Sequence, residues 1–266
     1  MALPPGGHGG GGGRPVLPVP LGTPVHRLAP QAKVAATVLF VVAVVAAPRE
    51  AFWAYAVFAG LLVAVARFGQ VPLGHVARRL VIEAPFVAFA LFLPFLGQGE
   101  RVDAGGLSLS VAGLWGAWNI LAKATLGVAA SVLLAATTTV PELLRGLDGL
   151  RVPRVFTSIA GFMVRYVDVV RGDLARMQVA RASRGHEARR IGDWRVLAKL
   201  AGALFIRAYE RGERVHLAML SRGYTGSMPV VAGAAGGAVP ARHWLAALAL
   251  PTVAATVTAA AWAVRG

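Results

Sequence analysis

Two stretches of the chain end in the same way. One reads Ala180-Arg181-Ala182-Ser183-Arg184-Gly185 and the other Ala218-Met219-Leu220-Ser221-Arg222-Gly223. The shared element is Ala-x-x-Ser-Arg-Gly. Glycine is the usual helix stop, because it enters the left-handed conformation without strain. An arginine just before such a stop sits on the last helical turn, with its guanidinium aimed away from the helix body. A guanidinium is planar, always charged and able to hold a carboxylate with two parallel hydrogen bonds. One such end is ordinary capping of a helix dipole. Two of them, Arg184 and Arg222 with Ser183, Gly185, Ser221 and Gly223 around them, point to a two-point docking site for an acidic partner.

Other chemistry is poorly provided for. No Gly-Lys dipeptide occurs, so there is no phosphate-binding loop of the Walker type. His186-Glu187-Ala-Arg-Arg190 has an arginine where a zincin needs its second histidine. The remaining histidines are scattered and form no ligand pair. The chain has no cysteine, which excludes disulfides and thiolate chemistry. No catalytic, metal or cofactor site is expected.

The helices carrying the two motifs are legible by their periodicity. Val155, Ile159, Phe162, Tyr166, Val170, Leu174 and Met177 recur at spacings of three and four after Pro153. Arg165, Asp168, Arg171 and Arg176 fall between them. Asp168–Arg171 and Asp173–Arg176, as i,i+3 pairs, are expected to support the exposed face. A second amphipathic helix is expected from about Asp193, with Trp194, Leu197, Leu204, Tyr209, His216 and Leu220 on its apolar side. A short amphipathic stretch, Pro141 to Leu150, precedes both. The block 141–228 holds 16 of the 27 basic residues and 8 of the 12 acidic ones.

The rest of the chain is of another kind. The protein has 266 residues, 56% of them hydrophobic and 15% charged, with a net charge of +15 and a mean hydropathy of +0.63. Soluble domains carry about 25% charged residues. An ordinary soluble enzyme is therefore nearly excluded. Apolar segments at Val34–Ala47, Ala51–Ala66, Leu80–Leu96, Val111–Val140 and Trp244–Val264 predict an all-α polytopic protein of about five membrane spans, the first two short. The expected division is a Gly/Pro-rich disordered tail over 1–30, spans one to four over 31–140, a cytoplasmic coupling-helix region over 141–228, a linker over 229–243 and a last span over 244–266. Arg67, Arg78 and Arg79 between spans two and three, against a net acidic link between three and four, place the N-terminus in the cytoplasm. Glu83, three residues into its span, is expected at the interface. Lys123, within span four, could pair with Glu83, contact a partner subunit, snorkel or face protein.

The stretches Phe156–Gly185 and Glu210–Gly226 resemble the transmembrane T component of energy-coupling factor transporters, and more narrowly its cobalt-type CbiQ member. Thr23–Lys33 and Thr137–Leu147 are similar to that family as well. Both motifs carry Ser where the family commonly has Ala, and Ala29 stands where it often has Asp. The resemblance implies a non-catalytic subunit of the cell membrane, multi-pass in the bilayer, whose Arg184 and Arg222 dock into two ABC ATPase subunits. It implies a separate CbiM-like membrane receptor and cobalt as cargo, with nickel or a vitamin as the alternative. Interleaved Asp168, Asp173, Glu210 and Glu213 argue against nucleic acid as partner, which a membrane-tethered basic binding protein would require.

Overall fold

The computed structural model describes residues 23, 25–97, 100–104, 107–183, 194–226 and 240–265. It is helical nearly throughout: α1 (Pro30–Ala46), α2 (Phe52–Phe68), α3 (Leu73–Arg79), α4 (Ala84–Leu96), α5 (Val111–Thr137), α6 (Val140–Gly149), α7 (Arg154–Ala182), α8 (Trp194–Leu220) and α9 (Ala241–Ala263). Two compact units result. One comprises residues 1–139 with 240–266, and the other 140–239.

Three segments of the first unit are long and apolar enough to cross a membrane: Leu73–Leu96, Val111–Thr137 and Ala241–Ala263. Helices α1 and α2 have 17 residues each, about 26 Å of helix. Both lie along longer helices. The Ala29 amide at the start of α1 donates to His243 Nδ1 near the start of α9 (3.2 Å). At the other end Trp262 Nε1 donates to the Ala46 carbonyl (3.0 Å). Helix α2 starts with Phe52 against Trp118, and Gly69 just past its end lies beside Thr137 at the end of α5.

The core of this unit is built on small residues. Ala247, Ala254 and Ala261 on α9 and Ala32, Ala36 and Ala43 on α1 are all buried. Small side chains let helices approach closely where lipid supplies no hydrophobic drive between them. Phe40 and Phe58 fill the centre edge to face, 6.1 Å apart, each fully buried. Helices α4 and α5 touch backbone to backbone at Gly113. A Cβ there would lie 2.3 Å from the Leu93 carbonyl oxygen, so no larger residue fits.

The end of α1 gives a complete account of its orphan carbonyls. A helix leaves its last four C=O groups without intrahelical partners. The Ala47 amide takes the Val44 carbonyl (3.2 Å). Thr258 Oγ1 donates to Ala43 (3.0 Å), Lys123 Nζ to Val45 (2.7 Å) and Trp262 Nε1 to Ala46 (3.0 Å). Lys123 is thereby placed: its charge caps the negative end of α1. The arrangement is reciprocal. Lys33 of α1, buried to 6% exposure, donates to the Thr137 carbonyl at the end of antiparallel α5 (2.8 Å).

Three expectations are corrected here. Glu83 does not sit at a solvated interface. It is 4% exposed, in a 3-10 turn between α3 and α4, and accepts a hydrogen bond from Thr125 Oγ1 (3.0 Å). Arg78 and Arg79 are not in a loop but form the last turn of α3, so helical structure before α4 begins seven residues earlier than the apolar run. The link between α4 and α5 contains an antiparallel hairpin, Arg101–Ala104 with Leu107–Ser110, in register Arg101↔Ser110. Ser110 then caps α5, its hydroxyl accepting from the Gly113 amide (3.3 Å).

Phe52, Trp115 and Trp118 cluster with ring centroids 5.1–5.7 Å apart. Arg49 lies over Trp115 and Arg265 over Trp262. Glu50 joins Arg49 and Arg265, each at 3.0 Å. This belt of amphipathic rings and charges has the composition that membrane–water boundaries favour.

Candidate docking site on the coupling helices

The second unit has almost no core. Among its described residues only Gly146 and Asp173 are buried. Helices α7 and α8 span 29 and 27 residues, and their apolar faces stay open. Phe156 is 66% and Phe205 70% exposed, and Val155, Met163, Ile206, Tyr209 and Leu217 are exposed with them.

Helix α8 ends as the motif requires. Gly223 has φ +82°, a region that side-chain-bearing residues enter at a cost. Its amide donates to the Leu220 carbonyl and the Tyr224 amide to Met219, both at 3.0 Å. These two bonds form a Schellman motif with glycine at the left-handed position. Tyr224 then folds edge-on against His216, ring centroids 6.5 Å apart. Arg222 is the residue on which the helix stops. It is exposed, and its side chain makes no ion pair or hydrogen bond among the described residues. A fixed backbone thus presents a free guanidinium at a helix terminus.

Helix α7 ends at Ala182 with Ser183 as its C-cap, still in the helical region. Arg184 and Gly185 lie outside the described residues, as does Asp193, the expected start signal of α8. The structure therefore places Ser183, Ser221, Arg222 and Gly223 of the expected site. Both serines turn inward: Ser183 Oγ donates to Val179 O and Ser221 Oγ to Ala218 O, each at 3.0 Å. A serine in this position satisfies itself on its own helix and leaves the arginine geometry to the glycine.

The sequence reading missed Arg211 as a partner of Asp173. Asp173 forms its expected pair with Arg176 but does not support the exposed face of α7. It is 8% exposed and lies where α7 meets α8. Arg176 Nη2 takes one carboxylate oxygen, and Arg211 Nη2 of α8 takes the other at 2.8 Å. The signal was present in the spacing: Asp173 stands three residues after Val170 and four before Met177, in register with the apolar stripe. Asp168–Arg171 is the solvated pair expected of it, at 3.6 Å with both side chains exposed. Among the described residues no group of three His, Asp or Glu could hold a metal. His186 and Glu187 lie outside them.

An apolar helical bundle joined to a second helical unit that has open faces and a free terminal arginine defines a multi-pass membrane protein equipped to engage other proteins. Residues 22–231 match the family model for CbiQ, cobalt transport protein, and the chain belongs to that family. Similar proteins carry consistent names. The chain is 27% identical to the energy-coupling factor transporter transmembrane protein EcfT of Heliobacterium modesticaldum, over 78% of this chain and 82% of that one. It is 31% identical to the cobalt transport protein CbiQ of Rhodobacter capsulatus, over 49% and 54%. It is 29% identical to a putative fused cobalt transport protein CbiMQ of Methanocorpusculum labreanum, over 52% of this chain and 24% of that one. Two uncharacterised proteins of Methanocaldococcus jannaschii match over 62% and 39% of their own lengths, both under two thirds.

Proposed function

We propose that this chain is the transmembrane energy-coupling subunit of an energy-coupling factor importer, with cobalt ion as cargo. The observation that carries the proposal is Arg222. It is held on a glycine-stopped helix end, unpaired among the described residues, and the sequence repeats its motif at Arg184. Each arginine meets acidic residues on one of two ABC ATPase subunits, and two contacts let the pair of helices follow ATPase movement. ATP hydrolysis belongs to those partners, and this chain does no catalysis. Residues 31–140 hold four membrane spans and 244–266 a fifth, 141–228 forms the cytoplasmic coupling region, and the loop charges put the N-terminus in the cytoplasm.

The open apolar faces of α7 and α8 support a second contact, with a separate substrate-binding membrane subunit. The joining of CbiM and CbiQ in one relative's name supports a CbiM-like receptor. Mass spectrometry of what co-purifies from detergent-solubilised native membranes tests the reading. ABC ATPases with a small membrane receptor are the expected companions. Uptake by the reconstituted complex, measured with cobalt, nickel and vitamin substrates in parallel, then identifies the cargo. Recovery of this chain alone, or with nucleic acid, would overturn the proposal.

A further inference from the structure

The two helix ends are not the only repeated feature. Asp173 precedes Arg184 by eleven residues, and Arg211 precedes Arg222 by eleven. The residues that clasp α7 to α8 thus occupy the same place relative to the two motifs. Helix α7 ends nine residues after Asp173, and α8 nine residues after Arg211. At 1.5 Å per residue each arm is about 14 Å long. The contact is charged on both sides, and its carboxylate is nearly buried. Both Asp173 oxygens are occupied, one by Arg176 and one by Arg211.

No apolar core competes with the clasp for control of the crossing. Among described residues α8 buries no side chain, and Asp173 is the one buried residue of α7. The apolar residues beside it, including Phe162, Tyr166, Val215 and Met219, line an open groove of about 370 Å³ rather than a packed interior. Apolar contact alone is non-directional and lets helices slide. Arg176, on the same helix, holds the carboxylate in place on α7, and the charge-assisted bond from Arg211 is directional and sets the point at which α8 meets it.

We propose that the Asp173–Arg211 ion pair is the pivot of the coupling helices. It makes Asp173 and Arg211 positioning residues: they hold α7 and α8 as one lever with equal arms, so that displacement at Arg184 and Arg222 turns the pair together. Without the clasp each helix follows its own ATPase and the motion is lost between them. The inference rests on the coupling role proposed above, but its geometric half is testable without that role.

The chain has no cysteine, so a double-cysteine variant at the exposed positions Gln178 and Lys199 can be spin-labelled directly in the full-length protein in lipid nanodiscs. Distance distributions are then measured for the parent, Asp173→Asn, Arg211→Met and Arg211→Lys. The parent and Arg211→Lys should give a narrow distribution, and Asp173→Asn and Arg211→Met a broad one. In the complex reconstituted with its ATPases and receptor, the same two variants should hydrolyse ATP nearly as the parent does. Their cobalt uptake per ATP should fall at least about fivefold, and Arg211→Lys should restore it. Unchanged distances in both variants would overturn the pivot. Uptake and hydrolysis falling in step would leave the pair a folding role only. Absence of uptake in the parent would overturn the proposed function, while the distances would still decide the clasp.

Discussion

The two units of this molecule solve opposite problems. The membrane unit is specified from inside. Phe40, Phe58, Val44 and a run of buried alanines fill it, Lys33 ties the start of α1 to the end of α5, and Lys123 in the middle of α5 holds the end of α1. The second unit has no such interior among its described residues. Its shape comes from a glycine stop, a capped turn and one ion cluster, and its large apolar side chains face outward. A protein that must keep its own structure in lipid spends its apolar residues on itself. A protein region that must hold others leaves them uncovered.

That contrast is open to test, beginning where the effect should be largest. Phe58→Ala should destabilise the membrane unit by about 3–5 kcal/mol, because it empties a fully packed site. Phe205→Ala in α8 removes an equally large ring that is 70% exposed and should change stability by less than about 0.5 kcal/mol. Thermal or denaturant unfolding of the two variants in detergent would separate them, and comparable losses would erase the distinction drawn here. Lys33→Met should cost about 2 kcal/mol by the same measurement, since it leaves the Thr137 carbonyl without its charged donor.

Gly223→Ala should cost about 1 kcal/mol, felt locally. Nothing lies within 4 Å of the added methyl, so the cost is conformational and not steric. Faster amide exchange at Leu220–Tyr224, with the rest of α8 unaffected, would report it. The smallest effect concerns Glu50. The hydrogen bond from Arg49, reinforced by Arg265, holds its carboxyl below the ordinary value of 4.5. A depressed folded value means that the stabilisation is present above the ordinary value and lost as pH falls through the folded one. Unfolding midpoints of the parent should therefore drop slightly more between neutral pH and pH 3 than those of Glu50→Gln. Identical slopes would remove Glu50 from the belt's energetics.

Much of this was legible in the sequence. The periods of α6 and α7, the stop of α8 and the apolar runs of the spans follow from local chemistry and stand in the structure close to where the residues put them. What was missed depends on distant partners. Lys123 and Lys33 meet backbone carbonyls 78 and 104 residues away, and a carbonyl leaves no mark in a sequence. Glu83 stands near the start of an apolar run, where an interfacial position is the ordinary reading. Its partner Thr125 lies on another helix. Four-residue strands such as Arg101–Ala104 are too short to show an alternating pattern. Asp173 was legible in spacing but was read as part of a surface pair, because its i,i+3 partner Arg176 is exposed and its second partner, Arg211, is 38 residues on.

The central claim is that the two motif arginines carry the connection to the ATPases. Co-purification of the ATPase subunits with the Arg184→Glu/Arg222→Glu double variant, compared with the parent from the same membranes, tests it most directly. The variant should still reach the membrane fraction in normal amount, since Arg222 contributes to no core or ion pair among the described residues, and should bring down no ATPase. Full recovery of the ATPases with the double variant would contradict the docking role of both arginines.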